Sequence, residues 1–175
     1  YKMLNRSLLS RKEVYNAFRK LIKARYHPDI KSSLEKQKGP DYKSVLLMDL
    51  ISVLGQPLGI SQGNNPTCQS ARGISMWSQH SPVKLINKLI AAITSNELSF
   101  RFLGEIFHSK TYLSKSNFDF SLDSVSIALV PHLDDIYKQM MQKAQTRFIG
   151  QDPHAVVNPA FYGLWIQTGF ISCYN

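Results

Sequence analysis

Apolar positions recur at helical spacing along much of the chain. In residues 12–25, KEVYNAFRKLIKAR, positions Val14, Ala17, Phe18, Leu21 and Ile22 share one face, with Arg and Lys on the other. Pro28 predicts that this helix stops near Tyr26. Residues 31–41 are polar, contain Gly39 and Pro40, and read as a loop. Residues 42–54, YKSVLLMDLISVL, predict a second and more buried helix, ended by Gly55 and Pro57. A loop of turn formers spans residues 55–67. A third helix is expected from Cys68 to about Gln79, with Thr67 as its cap. Ser81 and Pro82 open a fourth, whose stripe is Ile86, Leu89, Ile90 and Ile93.

The second half is less regular. Phe118, Phe120 and Leu122 alternate with polar residues, which is a strand signal. Pro131 is expected to open a helix carrying Leu133, Ile136, Tyr137, Met140, Met141 and Ala144. The runs HAVVN and GLWIQTGF are rich in β-branched and aromatic residues, and the turn-like PAFYG between them predicts a hairpin. Helices first and short strands last give an α+β class, predominantly helical with a small C-terminal antiparallel sheet. At 175 residues, 43% of them hydrophobic, the chain suits one domain over 1–175 with a sizeable core.

Charge changes this picture in one place. Residues 1–50 hold 12 Lys and Arg against 5 Asp and Glu, more than half of the imbalance behind a net charge of +9. The chain therefore divides into a basic helical N-terminal subregion, 1–57, and a remainder, 58–175. The basic face suits an acidic protein partner. Tyr15, Phe18 and Tyr26 interleave with the cations, but no nucleic-acid reading module accompanies them, so nucleic acid is not the expected partner. No apolar run is long enough for a membrane span. No signal-peptide pattern opens the chain at Tyr1, and the sequence carries no information on what precedes that residue.

The two cysteines, Cys68 and Cys173, are too few for a disulfide scaffold, and with five scattered histidines they show no zinc-site spacing. Cys68 stands where a helix should begin. Free backbone N–H groups and the helix dipole stabilise a thiolate there. The alternative is a small buried apolar residue. A thiol enzyme also needs an imidazole and a group that orients it. His154, expected to open a strand, is the best placed, with Asp152, Asn158 and Gln167 as candidate orienters. The Gln62 amide and the Cys68 N–H would hold a developing oxyanion.

QGNNPTCQSA followed by HAVVN resembles the papain-like thiol proteases and, more loosely, the transglutaminase-like fold. The resemblance implies a papain-like arrangement for a thiol-enzyme core over 58–175. It makes Cys68 the nucleophile, His154 the base and Gln62 the oxyanion donor. It implies a hydrolase or acyltransferase acting on an amide or isopeptide bond of a protein or peptide, with no cofactor and no metal. At the other end, AFRKLIKARYHPDI resembles the J-domain of co-chaperones. That resemblance implies a non-enzymatic binding module, with His27, Pro28 and Asp29 in a loop and Arg19, Lys20, Lys23 and Arg25 on a basic docking face.

Overall fold

The computed structural model describes residues 7–60, 68–109, 122–164 and 166. Seven helices and one hairpin are found among them. The helices are α1 (Lys12–Ile22), α2 (Pro28–Lys38), α3 (Tyr42–Gly55), α4 (Cys68–His80), α5 (Pro82–Ser95), α6 (Ser124–Arg147) and α7 (Pro153–Tyr162). Strands β1 (Ser99–Phe102) and β2 (Glu105–His108) lie between α5 and α6. The class is helical with a small antiparallel sheet, but the sheet lies mid-chain rather than at the C-terminus.

The hairpin follows from its turn. Leu103 and Gly104 both take positive φ, 50° and 84°, as a tight two-residue connection requires. Phe100 pairs with Phe107 and Phe102 with Glu105, and alternation puts Phe100 and Phe102 into the core.

The amphipathic helices form as expected, with one correction. Helix α1 buries Val14, Ala17, Phe18 and Leu21, but it ends at Ile22, whose side chain is 63% exposed. Helix α2 corrects the loop expected at 31–41. His27 is its cap and Pro28 its first residue, so the His-Pro-Asp stretch opens a helix instead of lying in a loop. The Asp29 N–H donates to His27 Nδ1 at 3.3 Å, and the His27 N–H donates to Ile93 O at 2.7 Å. Only Ile30 and Leu34 face inward from α2, too thin a stripe to stand out in a polar sequence.

Two further corrections concern proline and β-branched residues. Pro131 does not open α6; it lies inside it, seven residues from the start. The start is capped twice. Asp123 Oδ1 accepts from the Ser126 N–H at 2.8 Å. Asp49, on α3, accepts from the Ser124 N–H and Oγ–H at 2.7 and 2.6 Å. Every residue from Ser124 to Leu133 is buried, and that burial outweighs the roughly 3 kcal/mol an interior proline costs. HAVVN is not a strand but the first half of α7, capped by Asp152 with Pro153 at the first position. Phe118, Phe120 and most of GLWIQTGF lie outside the described residues, so the C-terminal hairpin loses its first strand.

One apolar cluster runs from Leu8 to Tyr162 and includes residues of every helix. Its centre is aromatic. Phe161 stacks on Phe100 with ring centres 5.2 Å apart, sits 5.6 Å from Trp77, and meets Tyr137 edge-on at 5.1 Å. Gly73 lets α4 approach this cluster, because an added Cβ would lie 3.3 Å from the Phe161 ring. Gly73→Ala gains about 1 kcal/mol of helix propensity. It also forces about 1–3 kcal/mol of overpacking against rings with no room to move. The net expectation is a lower urea midpoint; a raised one would show that α4 and α7 can part.

His132 lies fully inside, with Nδ1 2.9 Å from Ser109 Oγ and Nε2 without a partner among the described residues. Burial holds its pKa down at about 4, against the weaker pull of Asp135 and Glu97. Between about pH 6.5 and 4 the unfolded chain therefore binds the extra proton, and stability falls as the pH falls through that window. The stability of the wild type relative to His132→Gln should decline by on the order of 3 kcal/mol from pH 7 to 4. Denaturation at several pH values measures it.

Candidate functional site

Helix α4 begins at Cys68, which is an exposed free thiol. The first N–H groups of a helix have no partner within it, and their dipole favours an anion. Arg72 lies one turn further along α4 and is exposed. Charges at Cys68 and Arg72 both act on the hydroxyls of Tyr137 and Tyr162, so all four groups share one neighbourhood.

Helices α6 and α7 pack together behind this point. Tyr137 descends from α6, with its ring nearly buried. His154 and Asn158 stand one turn apart on the facing side of α7, both half-buried. The Tyr137 hydroxyl donates to Asn158 Oδ1 at 2.7 Å and lies 2.8 Å from His154 Nδ1. A phenol has one proton. With that proton given to Asn158, His154 Nδ1–H must be the donor to Tyr137. The lone pair of the neutral ring is then on Nε2, which is the nitrogen a general base uses.

Tyr162 fixes the same wall from the other end of α7. Its hydroxyl donates to Gln69 Oε1 and lies 3.2 Å from the Gln69 main-chain oxygen. Its carbonyl accepts from the Trp77 indole N–H at 2.9 Å. Burial pushes the Tyr137 hydroxyl up to about pKa 12, with Arg72 pulling down and Asp152 and Cys68 adding to the rise. Burial raises Tyr162 as well, with smaller upward contributions from Tyr137 and Cys68. Both phenols therefore stay protonated at neutral pH and act as hydrogen-bond donors. Beneath Cys68, the Ser70 hydroxyl donates to Asp134, whose carboxyl is raised to about 6 by burial.

The sequence-derived residues are placed unequally. His154 is hydrogen-bonded to Tyr137, while Cys68 is linked to it only through the action of its charge on the Tyr137 hydroxyl. Asn158 does reach the imidazole, but only through the Tyr137 hydroxyl. Asp152 Oδ1 accepts the backbone N–H of His154 at 3.0 Å and so caps α7. His154 therefore opens a helix, not the strand that the thiol-protease resemblance implies. Gln62, Thr67, Gln167 and Cys173 lie outside the described residues.

Sequence reasoning missed Tyr137, Arg72 and Tyr162. Tyr137 was read as part of an apolar stripe, because nothing local shows that a core tyrosine carries its hydroxyl to a polar surface. Arg72 was legible, since a cation four residues after a helix-opening cysteine lies on the same side. Among the described residues, no three His, Cys, Asp or Glu side chains are grouped as a metal ion needs, and no helix is long and apolar enough to cross a membrane. Comparison with known proteins finds no matching family model, no matching curated protein and no matching solved structure.

Proposed function

We propose that the protein is a thiol-dependent acyl-transfer enzyme, a hydrolase or transferase acting on an amide or isopeptide bond of a protein or peptide. One observation supports this reading: the exposed Cys68 lies near enough for its charge to act on the Tyr137 hydroxyl, and that hydroxyl is hydrogen-bonded to the His154 imidazole. The local resemblance to papain-like and transglutaminase-like enzymes points the same way.

In this mechanism Cys68 attacks the substrate carbonyl as the thiolate, and His154 holds the thiol proton on Nε2. The carbonyl oxygen gains the electron pair and is held by the Cys68 N–H together with Gln62. Collapse of the tetrahedral intermediate breaks the C–N bond, and His154 returns the proton to the departing amine. A water or an acceptor amine then releases the thioester, with His154 again taking the proton. Tyr137 and Asn158 position the ring throughout. Asp152 keeps the first turn of α7 in place.

Alkylation by iodoacetamide, in a Cys173→Ser background, tests this without a known substrate. An ordinary thiol of pKa about 8.5 is almost unreactive at pH 6.5. Cys68 should react at least about tenfold faster than such a thiol, and His154→Ala should remove that advantage. Reaction at the ordinary rate, unchanged in His154→Ala, would overturn the enzyme reading.

Tyr137→Phe keeps the aromatic ring and deletes only the bridge. It should cost about 1–2 kcal/mol of stability, because His154 Nδ1 and Asn158 lose their partner. The alkylation rate at pH 6.5 should fall several-fold, and its pH profile should move towards that of a free thiol. A loss of stability with an unmoved profile would reduce Tyr137 to a packing role.

A further inference from the structure

Lys84 and Lys88 stand one turn apart on α5, beside an open hollow that they line with Val83, Asn87 and Ala91. Neither cation is solvated in the usual way. Lys84 Nζ lies 4.7 Å from the centre of the Trp77 ring and donates to Phe161 O at 3.3 Å. Lys88 Nζ lies 3.8 Å from the centre of the Phe100 ring and donates to Ser99 O at 2.7 Å. Both side chains are half-buried. Among the described residues, neither ammonium forms an ion pair with a carboxylate.

Two like charges at this spacing repel each other. Ring faces and carbonyl dipoles hold each one in place but supply no net negative charge. Burial lowers both lysines, and the charge of Lys84 adds to the fall of Lys88 to about 8. Each ammonium has three N–H donors, and the Ser99 bond uses only one of those on Lys88. Donors therefore remain on both side chains, around a hollow whose rim carries the exposed amide of Asn87. We propose that this hollow binds a small oxyanion, the phosphate or carboxylate group of a ligand, clamped between the Lys84 and Lys88 ammonium groups. The site stands on residues that the thiol chemistry does not use, so it does not depend on that reading.

The test follows the side-chain NMR signals of both lysines, and the melting temperature, during titration with inorganic phosphate and separately with acetate. Sodium chloride at matched ionic strength is the control. Saturable shifts of both lysines together, with a rise in melting temperature, are expected for at least one anion. Phosphate alone would assign a phosphate-bearing ligand, acetate alone a carboxylate, and both the shared oxyanion class. Lys84→Gln and Lys88→Gln should each weaken binding at least about tenfold. Each variant removes a repulsion but also a cation–π contact and a hydrogen bond to a carbonyl, so the rise caused by anion is read against that variant's own anion-free melting temperature. Shifts that never saturate, that chloride reproduces, or that persist in the Lys84→Gln/Lys88→Gln double variant would overturn the proposal.

Discussion

Trp77 is sealed from solvent and gives its indole N–H to the carbonyl of Tyr162, at the last residue of α7. Around that bond Phe161 stacks on Phe100 and meets Tyr137 edge-on, so α4, α6, α7 and the hairpin are joined through one set of rings. An unpaired buried indole N–H costs more than the bond contributes, so this contact fixes position as much as it adds stability. Without it, α7 has no reason to lie where it brings His154 and Asn158 to Tyr137, or where Tyr162 meets the start of α4. The arrangement of the polar wall depends on an apolar seam.

The polar groups along that wall are ordered by proton count. Tyr137 has one proton and two neighbours, so its bond to Asn158 decides the tautomer of His154. Its raised pKa keeps that proton in place at neutral pH. In the proposed site a neutral phenol thus takes the position that a carboxylate or a directly bonded amide holds in thiol enzymes. It orients the ring with less charge behind it.

Much of the helical fold was legible because periodicity is local. The stripes of α1, α3 and α5 predict those helices to within a few residues, and Cys68 lies in the first described turn of α4. The failures have a common physical source. Residues 27–39 carry a cap, a first-turn acid and terminal lysines, but only two inward apolar residues, Ile30 and Leu34, so the periodic signal is too thin for α2. In α7, Val156 and Val157 gave a β-like local preference, while Asp152 and Pro153 formed a helix start whose signal was passed over. In α6, Pro131 looked like a beginning because proline is costly inside a helix. Two aspartates, one of them from α3, cap the true beginning.

What the chain determines by itself is therefore its helical stripes, its basic first third and the local position of a thiol at a helix mouth, since each depends only on neighbours in sequence. The meeting of Tyr137 with His154 and Asn158, near the start of α4, is of another kind. It depends on α4, α6 and α7 meeting, and that meeting is decided by ring packing between positions up to 84 residues apart. The same holds for the two lysines: their spacing is written in the sequence, but the rings and carbonyls that draw them inward come from α4, β1 and α7. Tertiary packing chose which polar atoms were left facing one another, because a side chain's partners are set by where its helix is buried and not by the residues beside it.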